Sequence, residues 1–290
     1  MENNIFAQIT LQYPNLTKTE KKIADYVLRN KNEVQYLSIA SLAENCNVGE
    51  ASIFRFCKTL HLDSYNEFKL TVARSLIQDE IHSTPADTAF FSYGKVVPTD
   101  TFQELCHKLY SSQVNALNQT LSLANEAAYK KAAQYLLKAK QVFCFGQGNS
   151  LVLAMIAWSR FMSVSKKFCY VEDSHLQATN IALSSSEDAI IFFSYSGATK
   201  EIVNVLPVAK QNGAKIILVT RFENSPAAKL ADVVLICGSN EGPLQIGSMA
   251  AKAAILMVID ILFNEYWILD TETCKENAEK TSQMISKRLL

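Results

Sequence analysis

With 290 residues, 49% hydrophobic and 19% charged, the chain has enough apolar mass for one or two packed cores and too little charge for global disorder. Its 28 basic and 28 acidic residues cancel, which excludes a general nucleic-acid coat but leaves room for a small reading module with local positive charge. Seven scattered cysteines without a C-x-x-C pair exclude a disulfide framework and a zinc knuckle, and the four histidines show no metal-ligand spacing, so neither a metal nor a cofactor is expected.

The first ten residues, MENNIFAQIT, lack a basic start and an apolar core, so no secretory leader is expected. The pattern is helical as far as residue 80. Thr17 and Glu20 open NLTKTEKKIADYVLRN in the spacing of a capping box, and Ile23, Ala24, Val27 and Leu28 form its apolar stripe. A second helix runs from about Ser38 to Asn45. A break at Cys46–Gly49, where Asn47 can take a left-handed conformation, leads to a third, EASIFRFCKTLHL. Two short helices joined by so tight a turn have the helix-turn-helix pattern. On a helical wheel Ile53, Phe56, Cys57 and Leu60 face one way, while Ala51, Ser52, Arg55, Lys58 and Thr59 face the other. Small residues early on the outer face allow close approach to a groove; Arg55 suits guanine and Lys58 a phosphate. Further phosphate contacts are drawn from Lys18, Lys21, Lys22, Lys69 and Arg74. The spacing fits equally an ordinary three-helix bundle with a solvated basic face.

Residues 82–100, with two prolines, a glycine and mixed polar residues, read as a linker. One or two helices follow between about 100 and 139. Strands and helices then alternate: QVFCFG, KKFCYV, AIIFFSY, KIILVT and DVVLIC are short apolar strands. Between them come helices at 149–162, 174–182 and 199–212, a short one at 225–230, and a last at 246–268. Continuous apolar strands separated by helices predict a five-stranded parallel sheet covered on both faces. The longest apolar run, from Met249 to Leu269, is interrupted by Lys252, Asp260 and Glu265 and reads as a buried helix, not a membrane span. A soluble, cytoplasmic protein with no membrane partner is expected.

Two strand ends carry polar chemistry. The first is FGQGNS, where Gly146-x-Gly148 matches part of a dinucleotide fingerprint, with Glu172 and Asp173 as available acids but Leu151 at the third glycine position. Ser150 stands where a helix begins. The second is Ser194-Tyr195-Ser196-Gly197-Ala198-Thr199, followed by Lys200 and Glu201. Gly197 permits a tight turn, and Ser196 and Thr199 fall at a helix N-terminus, where unpaired N–H groups and the helix dipole favour an anion. Two such loops at the carboxyl ends of strands suit a phosphate; the plainer reading is that the hydroxyls cap the helix. Glu201 and His175 are the available acid–base groups, each also explicable without chemistry, and no Ser-His-Asp arrangement is legible.

The two halves together resemble the RpiR family of bacterial transcriptional regulators. The segments LTKTEKKIADYVLRN, LSIASLAENCNV and ASIFRFCKTL look like its helix-turn-helix domain. FGQGNS, FFSYSGATKE and GSMAAKAAILMVIDILF look like a sugar isomerase (SIS) domain. The chain departs from the family at Gly49, where a serine cap is more usual, and at Asn47, where glycine is. The resemblance implies an all-α helix-turn-helix bundle over 1–79, a connecting segment over 80–105, and an α/β SIS domain over 106–290. It implies a homodimer or homotetramer that binds operator DNA and senses a sugar phosphate without turnover. Ser150, Ser194, Ser196 and Thr199 would hold the phosphate, Gly146, Gly148 and Gly197 would shape the loops, and Glu201 closes the motif. The alternatives are an aldose–ketose phosphate isomerase with an accessory helical domain, acting through Glu201 or His175, and a nucleotide-dependent oxidoreductase.

Overall fold

The computed structural model describes residues 4–81 (side chains as far as 76), 96–239, 242 and 247–287. Most of the expected linker, residues 82–95, lies outside the described residues. Two compact units emerge, one containing the chain up to Ser112 with the described residues of 240–248, the other Gln113–Ser239 and the chain from Met249.

The first unit is all helical: α1 (Ile5–Gln12), α2 (Lys18–Arg29), α3 (Lys31–Val34), α4 (Ile39–Asn45), α5 (Glu50–Thr59) and α6 (Tyr65–Ile81). Ile23, Val27, Leu42, Ile53, Phe56, Leu60, Phe68 and Val72 supply its buried core. The helices begin and end where the chain chemistry directs. Thr17 and Glu20 form the capping box of α2, each bonding the other's backbone N–H. After α4, Asn47 takes a positive φ of 52°, and the N–H groups of Asn47 and Val48 donate to the carbonyls of Glu44 and Ala43. That is the Schellman closure, which needs one left-handed residue. The same closure ends α5 at Thr59, not at Leu62 as the pattern suggested. His61 has φ 59°, and His61 and Leu62 donate to Lys58 and Cys57. The buried Leu60 and Leu62 keep the helical stripe in sequence, but the backbone has already turned.

The second unit holds the five-stranded sheet. After α7 (Phe102–Leu123) and α8 (Glu126–Lys138) come β1 (Gln141–Gly146), α9 (Asn149–Met162), β2 (Phe168–Tyr170), α10 (Ser174–Ala182), β3 (Asp188–Phe193), α11 (Lys200–Gln211), β4 (Lys215–Thr220), β5 (Val233–Ile236), α12 (Met249–Leu269) and α13 (Thr271–Ser286). All four strand pairings are parallel and the order is β2-β1-β3-β4-β5. Alternate residues of β3 face opposite cores. Ala189, Ile191 and Phe193 pack with α8, α9 and α12, while Ile190 and Phe192 pack with α10 and α11. The three central strands β1, β3 and β4 are therefore buried on both faces, which is why they read as unbroken apolar runs, while the edge strands β2 and β5 each keep half-buried positions. The expected short helix at 225–230 is instead a series of turns. Pro226 has no N–H to donate, and the N–H of Ala227 goes to the carbonyl of Gly197 across the fold (2.9 Å).

Candidate functional site

Strand order decides which loops meet. From β1 the chain crosses to β2 on one side, and β3 lies on the other, so the sheet's winding reverses between β1 and β3. Open α/β sheets bind ligands at this reversal, outside the carboxyl ends of the strands. Gly146, the last residue of β1, is registered against Phe193, the last of β3. The loops that follow, 147–150 and 194–199, therefore leave the sheet side by side. They are the two hydroxyl-bearing loops.

Each loop is shaped by glycine. Gly148 has φ 54° and Gly197 φ 59°, conformations that cost other residues energy. At Gly146 a Cβ would lie 2.6 Å from the carbonyl oxygen of Ser150, so only glycine lets α9 start so close to β1. At Gly197 it would lie 2.1 Å from Ser225 Oγ. Gln177, buried on α10, donates to the carbonyls of Gly146 (3.2 Å) and Val171 (2.8 Å) and accepts from Gln147, pinning the first loop.

The hydroxyls divide by role. Ser194 is buried, and its Oγ accepts from the N–H of Gly197 (3.2 Å), closing the turn. Ser196 Oγ accepts from Ala198 N (3.3 Å). Both hydroxyls keep a proton to donate. Thr199 is the N-cap of α11 but makes no side-chain capping bond, and Gly148, the N-cap of α9, has no side chain to make one. Asn4, Thr17, Ser38, Asn125, Asp173 and Asp270 cap their helices through the side chain, while α3 and α5 share with α9 and α11 the lack of such a cap. The two helices facing the switch point begin with donors that no side chain satisfies, as an anion site requires. Glu201 and His175 are exposed, with Glu201 in the first turn of α11 and His175 in the first turn of α10.

The sequence reading did not single out Arg221, although a cation directly after the apolar strand KIILVT was a usable signal. Its N–H donates to the carbonyl of Tyr195 (3.0 Å) and its Nε to that of Ser239 (2.9 Å). Tyr195 Oη donates to the same Ser239 carbonyl (2.7 Å), and its ring meets Phe222 edge-on. Ser239 itself has a positive φ of 139°. A cation and a strained residue thus join the second loop at the strand-end edge. Among the described residues, no group of three His, Cys, Asp or Glu side chains is placed to hold a metal.

In the helical unit α5 buries Ile53, Phe56, Cys57 and Leu60, as the wheel predicted, and leaves Ala51, Arg55, Lys58 and Thr59 exposed and Ser52 half-buried. Arg55 donates to Ser52 Oγ (3.1 Å) and Lys58 pairs with Asp63 (2.8 Å) on the surface. Thr59, exposed as expected, also donates its hydroxyl to Glu20 Oε1 (2.6 Å). Glu20 also accepts from the N–H and hydroxyl of Thr17 (2.9 and 2.7 Å). Burial alone would push the Glu20 carboxyl up, but the bonds from Thr59 and Thr17 prevail and hold it below its ordinary value. The carboxylate thereby bolts α5 to α2. Of the other expected phosphate contacts, Lys18, Lys22 and Arg74 are exposed. Burial of Lys69 pushes its ammonium down to about 8, which weakens it as a fixed cation.

The wheel also passed over one outward residue. Phe54 is exposed on α5 between Ile53 and Arg55. No helix among the described residues is long and apolar enough to cross a membrane.

Comparison with known proteins agrees with this two-part architecture. Residues 3–79 match the helix-turn-helix domain of the rpiR family and residues 135–265 match the SIS domain. An HTH-type transcriptional regulator of Caldanaerobacter subterraneus is 33% identical over 285 residues, 98% of each chain. The transcriptional regulator HexR of Escherichia coli is 25% identical over 284 residues, 98% of this chain and 95% of that one. Among solved structures, the Vibrio vulnificus NanR protein complexed with ManNAc-6P superposes with a TM-score of 0.85 at 25% identity, covering 99% of both chains. A helix-turn-helix fold with its outward basic helix and a SIS domain, matched end to end by such regulators, places the chain in the RpiR family of DNA-binding transcriptional regulators.

Proposed function

We propose that this regulator reads operator DNA through α5 and is controlled by a sugar phosphate bound, without turnover, at the β1/β3 switch point. The reading is carried by one observation: two hydroxyl-bearing loops, each leading into a helix without a side-chain cap, emerge together where the sheet's winding reverses. Ser150, Ser194, Ser196 and Thr199 would contact the phosphate, Gly146, Gly148 and Gly197 would hold the loops open to it, and Glu201 would border the sugar. The ManNAc-6P in the NanR complex makes hexosamine 6-phosphates a natural first class of candidate. Binding rather than isomerisation is favoured because the acid–base candidates Glu201 and His175 stand exposed on two different helices.

On DNA, Ala51 and Ser52 would allow close approach, Arg55 would bond guanine and Lys58 a phosphate, with 1–79 as the reading domain. Such helices read paired half-sites, so the working species is a homodimer or a pair of dimers in the cytoplasm. Val152, Met155 and Ile156 form an exposed apolar stripe on α9 beginning two residues after Ser150. Self-association there would tie ligand occupancy to the spacing of the two reading helices, within the limit of the ligand's differential affinity for the two arrangements.

A thermal-shift series over sugar phosphates tests the sensor half. A ligand at 100 times its Kd adds about 2.7 kcal/mol, a readily measured shift. Ser196→Ala is expected to abolish it. A variant that responds like the wild type would remove the phosphate assignment, and a ligand that binds without changing operator affinity would remove the switch. Operator affinity itself is expected to fall steeply with salt, with a slope set by few phosphate contacts.

A further inference from the structure

We infer that Phe54 is a base-reading residue of α5, recognising the C5-methyl group of a thymine in the major groove. This rests on the proposal that α5 enters DNA. Phe54 is 49% exposed, on a helix whose other apolar residues of the first two turns, Ile53, Phe56 and Cys57, are buried. Among the described side chains of residues 4–76, Leu11 on α1 is the other large apolar group so exposed, so Phe54 is not part of a broad apolar patch on its own helix.

Its neighbours define its surroundings. At 100° per residue, Phe54 lies on the outward half of α5 with Ala51 one turn before it and Lys58 one turn after, and Arg55 beside it. A lone ring set among two cations and an alanine is poorly suited to packing against another apolar face. It is well suited to a polyanion whose groove carries isolated apolar groups. Phenylalanine has no hydrogen-bonding atom, so it cannot read the donor and acceptor pattern of a base edge. The one apolar feature that pattern contains is the thymine methyl. Arg55 is bonded to Ser52 Oγ at 3.1 Å, and Phe54 is the fifth residue of α5, within the N-terminal half that faces base edges in such motifs.

The test uses the full-length protein and a duplex enriched by it from a random pool. Each thymine is replaced in turn by uracil, which pairs identically but lacks the methyl, and affinity is read by fluorescence anisotropy at fixed salt. Loss of one methyl contact is expected to weaken wild-type binding roughly four-fold at one position in each half-site. Phe54→Ala is expected to bind the thymine and uracil duplexes equally and to leave the salt slope unchanged, whereas Lys58→Ala lowers that slope by about one. Phe54→Leu, which keeps an apolar side chain, is expected to retain part of the discrimination. If Phe54→Ala discriminates thymine from uracil as the wild type does, or if no uracil substitution weakens the wild type, the inference is overturned while DNA reading by α5 stands. If the wild-type protein enriches no sequence, the DNA reading itself fails and takes this inference with it.

Discussion

Gly148 and Gly197 sit in the two loops of the proposed ligand site, both with positive φ, 54° and 59°, and replacing each by alanine is expected to destabilise for different reasons. A left-handed conformation costs a non-glycine residue roughly 1–2 kcal/mol, and alanine recovers about 0.4–1 kcal/mol by restricting the unfolded chain. At Gly148 the cost is one of backbone alone: an added Cβ would meet no atom within 4 Å, but ψ is −124°, outside the left-handed helical region and open without strain only to glycine. At Gly197 the Cβ would lie 2.1 Å from Ser225 Oγ and 2.6 Å from Ser225 Cβ. Ser225 is fully buried and its Oγ accepts from Ala228 N (3.3 Å), so it has no open space into which to swing. Overpacking of this kind adds roughly 1–3 kcal/mol, for a total near 2–4 kcal/mol. Both tryptophans, Trp158 and Trp267, lie in the sheet-containing unit, so their fluorescence in a urea titration reports that unit alone. The steric part is isolated by a cycle with Ser225→Gly, in which the double variant is expected to recover about 1–3 kcal/mol relative to the sum of the singles. A cycle with no coupling would refute the steric reasoning.

Three further outcomes are expected. Glu20→Gln replaces a carboxylate that accepts from Thr17 and Thr59, and is expected to destabilise the helical unit by about 1–3 kcal/mol and to weaken operator binding in a circular-dichroism melt and an anisotropy titration. Because the Glu20 carboxyl titrates below its ordinary 4.5 when folded, its contribution is complete above that value and is lost as pH falls through the lower folded value. The wild-type stability should decline in that acidic window more steeply than that of the variant, and parallel pH profiles would contradict it. His61→Gly puts the residue best suited to a left-handed helix end where histidine now holds φ 59°, and a gain of about 0.5–1 kcal/mol is expected in urea unfolding of the helical unit, with a loss counting against the strain. Tyr195→Phe removes the bond to the Ser239 carbonyl and is expected to cost about 0.5–1.5 kcal/mol by tryptophan-monitored unfolding, with no change meaning that Arg221 alone secures that carbonyl.

Much of the local structure was legible because it is decided by neighbours in the chain. The Thr17–Glu20 capping box, the left-handed turn at Asn47, the buried face of α5 and the five apolar strands all rest on contacts or conformations within a few residues. Misreadings arose where a distant partner prevailed. The 225–230 segment has helical composition, but Ala227 gives its N–H to Gly197 across the fold. Thr59 lies on the outward half of the wheel, as expected, and its bond to Glu20, 39 residues away, is one that local pattern does not show. Phe54 was passed over although its angle places it on the outward half, because a phenylalanine is ordinarily assigned to a core.

By itself the sequence determined the five strands and their order in the chain, the double burial of the central ones and the presence of two serine-bearing loops, since periodicity and turn chemistry are properties of short segments. Whether those loops belong to one site was undecided, because 43 residues lie between Ser150 and Ser194 and nothing in local pattern sets strand order. The sheet settles that by pairing β1 with β3 and placing Gly146 against Phe193. Glycine at the N-cap leaves α9 without a side-chain cap by sequence, whereas at α11 only the folded structure shows that Thr199 makes no capping bond. Two helix N-termini without side-chain caps, brought together from distant segments, are what an anion can bind, and only the folded sheet brings them together.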